Sequence, residues 1–239
     1  MSDVKAVLFD LDDTLFDHAH CARTALGTVR ASHASLSAID PLELEHTHSH
    51  ILEDLHGDVA VGRLSLDVAR AERFRRLFRS AGFEPDDVLS AATAATYRQA
   101  YIDSRRAVEG AAALLEAVRI RARVGIVTNN LVAEQREKLR DCGLDRHIDV
   151  LMASEEAGVS KPDPAIFALA LERLGCAADE AVMVGDSWEN DIVGALSAGI
   201  RAVWFNPHGE EPPGAGVPVL RALAPVDEVL AIILADRRA

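Results

Sequence analysis

Short apolar runs that alternate with helix-patterned stretches constrain the fold of this chain most. Val4 to Asp10 is an apolar run of strand length. Past residue 108 the alternation becomes regular. Ala111 to Ile120 reads as a helix and Ala122 to Thr128 as a strand. Leu131 to Cys142 reads as a charged amphipathic helix stopped by Gly143, and Val150 to Ala153 as a short strand. Pro162 to Leu174 reads as a helix with proline in its first turn, ended by Gly175. Ala181 to Gly185 is a strand, Glu189 to Ala198 a helix ended by Gly199, and Arg201 to Phe205 another strand. Val226 to Ala235 reads as a last helix. Strands joined through helices form right-handed crossovers and a parallel sheet. The expected fold is α/β, a Rossmann-like parallel sheet with helices on both faces.

The segment after the first strand has a different character. From Asp17 to Ala107 the pattern is helical, with few β-branched runs. Leu64, Val68 and Ala71, then Phe74, Leu77 and Phe78, recur at helical spacing, and Gly82 and Pro85 mark a break. The expected organisation is an α/β core from residues 1–16 and 108–239, with a helical subdomain at 17–107 inserted after strand one. Pro207 to Pro218, with Pro212-Pro213, Gly214 and Gly216, reads as a surface loop.

Net charge is −13, which argues against broad nucleic-acid binding, since phosphate backbones need basic surface. A small phosphate remains compatible if a metal and a few local cations reverse the field. The cysteines, Cys21, Cys142 and Cys176, are odd in number and form no CxxC pair, which fits a reducing compartment rather than a disulfide framework or a structural zinc site. No basic segment followed by a cleavable apolar stretch opens the chain, and no apolar run approaches membrane-spanning length. The expectation is a soluble, cytoplasmic protein with no membrane partner.

In open α/β sheets, ligands bind outside the carboxyl ends of the strands. Strand one ends in Asp10 and Asp12. Residues i and i+2 of a strand point the same way, so these two carboxylates are expected to project together. Such a pair repels unless a cation sits between its members or one keeps a proton. A divalent metal with a phosphoryl group would resolve the conflict. The second strand ends in Thr128-Asn129-Asn130, the segment after the third carries Ser160-Lys161-Pro162, and the fourth runs into Gly185-Asp186-Ser187-Trp188-Glu189-Asn190-Asp191. Each alone also suits a turn or a helix cap. All four in order, each after its own strand, point to a site.

With DLDDT, TN, KPDP and GDSWEND in this order, the chain resembles the haloacid dehalogenase-like hydrolase superfamily, most of whose members are phosphatases. The resemblance implies Asp10 as a nucleophile that forms an aspartyl-phosphate, and Asp12 as the general acid and base. It implies a Mg²⁺ site of Asp10, Asp12 (through its backbone carbonyl), Asp186 and Asp191. Thr128 and the Asn129 amide would hold phosphoryl oxygens, and Lys161 would neutralise developing charge. Thr14 would buttress the loop, and Gly185 would let the backbone pass close by. The insert resembles the family's helical C1 cap. The implied substrate is a small phosphorylated metabolite, with nucleotidase and sugar-phosphate phosphatase branches most similar. A phosphoglycolate-type phosphatase and a phosphomutase stay open. A 2-haloacid dehalogenase would not need Asp12, and a non-catalytic binding protein would not need the full residue set.

Other features carry quieter expectations. Seven of the nine histidines lie between His18 and His56. His46, His48 and His50 read as a solvated face rather than a zinc site, because no cysteine lies near in sequence. His18 and His20, which follow the catalytic loop, are candidates for substrate contact. Arg70, Arg73, Arg75, Arg76 and Arg79 read as a solvated basic face, with recognition of an anionic substrate tail as the alternative. Trp188 is expected to pack on its motif loop, and Cys21 to be a small buried residue.

Overall fold

The computed structural model describes residues 4–60 and 62–235. The chain divides into two compact units, one built from the segments up to Asp17 and from Arg106 onward, the other from His18–Arg105. Among the described residues no helix is long and apolar enough to cross a membrane.

In chain order the first element is β1 (Ala6–Phe9). The helical unit follows, with α1 (His18–Ser32), α2 (Ala34–Ser37), α3 (Pro41–Ala60), α4 (Leu66–Ser80) and α5 (Asp87–Asp103). Its core is apolar and aromatic, with Leu26, Val29, Leu44, Phe74, Leu77 and Phe78 buried together. Helix α4 starts where Ser65 accepts a hydrogen bond from the Val68 backbone N–H. Its buried face matches the expected one in part. Ala69, Arg73, Phe74, Leu77 and Phe78 are buried, Val68 is 54% exposed, and Leu64 lies before the helix begins. Phe74, Leu77 and Phe78 are buried as expected and Leu64 packs against the same core, but Ala69 takes the place of Val68 and the face takes in an arginine, which an apolar template leaves out. The other cluster arginines lie nearer the surface and pair with acids: Arg76 with Glu72 at 3.0 Å, Arg79 with Glu84 at 2.6 Å.

The α/β unit continues with α6 (Ala111–Arg119), β2 (Arg123–Thr128), α7 (Val132–Asp141), β3 (Val150–Ala153), α8 (Ser154–Ala157), α9 (Pro164–Leu174), β4 (Ala181–Gly185), α10 (Gly194–Ser197), β5 (Arg201–Phe205), β6 (Val219–Leu220) and α11 (Val226–Ile233). The six strands are all parallel, in the order β3-β2-β1-β4-β5-β6. β1 is central and every residue of it is fully buried, as a strand covered on both faces must be. Ala6 and Leu8 join the cluster around Ile166, Phe167 and Leu174 of α9, and alternation sends Val7 and Phe9 to the other face. The chain reverses direction across the sheet between β1 and β4. That switch point is where a ligand crevice forms.

Three boundaries depart from the sequence reading. The expected helix at Pro162 begins instead at Pro164. Asp163 is its N-cap, non-helical at φ −58° and ψ 123° and accepting from the Ala165 N–H at 2.9 Å, and the residue before a proline is disfavoured in the helical region. The expected helix from Glu189 opens as a π-helical turn, Trp188–Val193, before the short α10. β6 is an unforeseen edge strand, too short at two residues to show a period.

Candidate active site

The site is built where the central strands end. Phe9 pairs with Ile126 of β2 on one side and Val184 of β4 on the other. The next residue, Asp10, therefore stands between the ends of both neighbours, and its N–H donates to the Val184 carbonyl at 2.9 Å. β1 itself stops at Phe9. The chain then turns tightly, with the Leu15 and Phe16 N–H groups donating to the Leu11 carbonyl and Asp13 at a φ of 59°. Aspartate is among the few non-glycine residues that visit this left-handed region readily.

The two acids expected to project together take different partners. The Asp10 carboxylate accepts from Lys161 Nζ at 2.5 Å. The Asp12 carboxylate accepts from Lys138 Nζ at 2.6 Å, Gln135 Nε2 at 3.1 Å and Asn130 Nδ2 at 3.4 Å. Strand periodicity ends before Asp12, so alternation does not govern where its side chain goes.

The acids that gather around Asp10 come from the β4 end. Ligand oxygens of Asp10, Asp186 and Asp191 all lie within 4.8 Å of one another, and the Asp12 side chain is not in the group. Lys161 Nζ also donates to Asp191 Oδ1 at 2.6 Å, so one buried ammonium bridges two carboxylates. Asp191 Oδ2 accepts from the Ser187 N–H at 3.0 Å, which ties the carboxylate across the π-helical turn. Thr14, fully buried, donates from its hydroxyl to Asp186 Oδ1 at 2.9 Å and accepts from the Asp186 N–H at 3.1 Å. Trp204 Nε1 donates to the Asp186 carbonyl at 2.7 Å, and Trp188 packs edge-on against Trp204 with centroids 5.1 Å apart. Gly185 is required sterically. A Cβ there would lie 2.3 Å from Asp191 Oδ2.

The electrostatics follow from this crowding. Burial pushes the Asp10 carboxyl well above its usual range. Lys161 opposes that shift, and Asp191 and Asp186 reinforce it. Asp186 is pushed up to about 7, first by burial and then by Asp191. Burial pulls the Lys161 ammonium down, but the carboxylates of Asp10 and Asp191 override it and the net direction is upward. Three carboxylates and one ammonium leave the cluster short of positive charge. The all-oxygen donor set and that deficit fit a hard divalent cation such as Mg²⁺.

Thr128 ends β2, nearly buried, and its Oγ1 accepts from Gln135 Nε2 at 2.6 Å. The Asn129 side chain is committed elsewhere. It donates to the Lys161 carbonyl at 2.8 Å and accepts from the Lys161 N–H at 2.7 Å, clamping the segment that carries the ammonium. Any anion contact from Asn129 therefore falls to its main-chain N–H.

Gln135 and Lys138 are the residues the sequence reading missed. They lie on a strongly charged helix and read as solvated. Their i, i+3 spacing puts them on one face, which is the only signal available in the sequence. In the helical unit, His18 Nδ1 lies 2.7 Å from the Tyr101 hydroxyl, and His20 is also on α1. His46 and His50 stack edge-on at 4.9 Å, while His48 is buried against Phe74 and Tyr97. None of these histidines belongs to a metal-competent group among the described residues. The His56 side chain lies outside the described residues.

Residues 4–199 match the family described as haloacid dehalogenase-like hydrolase. The chain is 44% identical over 105 residues to a pyrimidine 5′-nucleotidase, YjjG, of Escherichia coli, a match spanning 44% of this chain and 47% of that protein. It is 34% identical over 227 residues to a phosphoserine phosphatase of Thermus thermophilus, covering 85% of this chain and 89% of the relative. A magnesium-bound HAD hydrolase of Bacillus subtilis, YfnB, superposes with a TM-score of 0.76 at 26% identity, covering 97% of this chain and 99% of that one. Four strand-end motifs, the sheet order and these similarities converge: the chain belongs to the haloacid dehalogenase-like hydrolases.

Proposed function

We propose that this chain, a phosphatase of its family, hydrolyses a small phosphomonoester with Mg²⁺ through a phosphorylated Asp10. The observation that carries the reading is the Lys161 ammonium held between Asp10 and Asp191, with Asp186 alongside. A nucleophilic carboxylate must approach a dianionic phosphoryl group, and it can do so only where fixed positive charge offsets the repulsion. Asp10, Asp186 and Asp191 would hold the metal, with the Asp12 carbonyl as a further oxygen. Bound there, Mg²⁺ would neutralise phosphoryl charge and orient the group for in-line attack.

An Asp10 carboxylate oxygen attacks phosphorus, the bond from phosphorus to the ester oxygen breaks, and Asp12 gives its proton to the departing alkoxide. Asp12 then takes a proton from a water that attacks the same phosphorus. This releases inorganic phosphate and restores the Asp10 carboxylate. Thr128 and the Asn129 N–H hold phosphoryl oxygens, and Lys161 offsets the charge that builds during transfer. The substrate class is a small phosphorylated metabolite, which the relatives' names support.

The test is hydrolysis of p-nitrophenyl phosphate with and without Mg²⁺, beside an Asp10→Asn variant. Activity should require the metal and fall by about 10³-fold or more in the variant. Metal-independent turnover, or a variant that keeps its rate, would refute the reading.

A further inference from the structure

Gln135 is fully buried on α7, and its amide touches two groups the proposed chemistry uses. Its Nε2 lies 2.6 Å from Thr128 Oγ1 and 3.1 Å from Asp12 Oδ2, while its Oε1 is buried with no partner. The direction of each bond follows from what the groups can do. Once its proton has gone to the leaving group, the Asp12 carboxylate only accepts, and an ammonium only donates. Asp12 receives Lys138 Nζ on Oδ1 and the two amide nitrogens of Gln135 and Asn130 on Oδ2. Lys138 is itself fixed, 4% exposed and 5.1 Å from the centroid of the Phe16 ring. Gln135 therefore has to turn its nitrogen to Asp12. Flipping the amide would set its oxygen against the carboxylate.

That same nitrogen makes Thr128 Oγ1 an acceptor in the bond they share. The Thr128 hydroxyl proton is then left to point elsewhere. The orphaned Oε1 is the mark of this choice. A flipped amide could have taken the Thr128 proton and satisfied the oxygen, at the expense of the Asp12 contact.

We propose that Gln135 is a positioning residue that sets the polarity of the Thr128 hydroxyl, keeping its proton available to donate to a phosphoryl oxygen. Lys138 and the ionised Asp12 lock the amide in the orientation that does so. This rests on the reading of Thr128 as a phosphoryl ligand.

The experiment is inhibition of p-nitrophenyl phosphate turnover by inorganic phosphate, in the full chain with Mg²⁺, for Gln135→Glu, Gln135→Met, Thr128→Val and the two double variants. A glutamate at 135 would accept the Thr128 proton and should raise the phosphate inhibition constant by about tenfold or more, the size of one hydrogen bond to a charged group. Methionine has similar length and no acceptor, so it should raise the constant far less. On the Thr128→Val background both substitutions should lose most of their effect on the constant, because the hydroxyl they act through is gone. Equal effects of glutamate and methionine, or effects that simply multiply with Thr128→Val, would overturn the proposal. If the glutamate variant does not fold, the Gln135→Met and Thr128→Val cycle decides by the same criterion. An unaltered chain that neither turns over the ester nor binds phosphate would instead count against the phosphatase mechanism itself.

Discussion

Arg73 and His48 show how much a single side chain can cost a small core. Arg73 is buried in the helical unit, and its guanidinium carbon stands 4.7 Å from the Tyr97 ring centroid and 5.1 Å from that of Phe74. Among the described residues no carboxylate pairs with it, and its Nε has no hydrogen-bond partner. Cation–π attraction supplies about 2 kcal/mol when such a contact is desolvated, less than the penalty of an unpaired buried charge. His48 lies beside it with an orphaned Nε2. Its pKa is lowered to about 3, chiefly by burial, then by the charges of Arg73 and His18. The folded state therefore holds His48 neutral, while the unfolded chain protonates it near its ordinary value of 6.5. Its contribution to stability is complete above that value and is lost as pH falls from there toward 3. Denaturant titrations between pH 6.5 and 5 should show a steeper loss in the unaltered protein than in His48→Met, with a slope difference approaching about 1.4 kcal/mol per pH unit. Parallel curves for the two proteins would mean that His48 charges freely in the folded state.

Helix α9 couples the site to the core. It buries Ile166, Phe167, Ala170, Leu171 and Leu174 at helical spacing against the sheet, and its N-terminus follows directly on the segment that carries Lys161. Phe167 also reaches the motif helix, where a Cβ at Gly194 would come within 2.9 Å of its ring. Phe167→Ala should therefore destabilise the α/β unit by about 3–5 kcal/mol, read as a lower midpoint in urea at an unchanged slope. A loss below about 1 kcal/mol would show that the helix is not packed as described. Elements of this kind were legible in the sequence because their apolar period, proline start and glycine stop agree. α4 and α7 were legible as helices, and Phe74, Leu77 and Phe78 as part of the buried face of α4, but the polar members of those faces were not. Arg73, Gln135 and Lys138 are buried because particular partners wait for them, and hydropathy does not record partners. β6 left no period to read, and the π-helical turn at Trp188 depends on Asp191 folding back to the Ser187 N–H.

At the scale of the whole molecule, an acidic chain has to present positive charge to an anionic substrate. The net charge is −13, yet two buried lysines from separate connections converge on the acids after β1. Lys161 comes from the segment after β3 and Lys138 from α7, and only the parallel sheet brings both beside one turn. The order of the four motifs was readable because each follows its own apolar strand and the switch-point rule says where the strand ends meet. That Asp10 and Asp12 pair with different lysines was not readable, since hydropathy does not record partners and β1 ends one residue before the first acid. The central claim is that Asp10 carries the phosphoryl group between substrate and water. Acid quenching of the protein during turnover of an aryl phosphate, then peptide mapping by mass spectrometry, tests it most directly. The account predicts one added PO₃ group on the peptide from the first strand, localised to Asp10 and absent in Asp10→Asn. A phosphoryl group trapped on any other residue would contradict it.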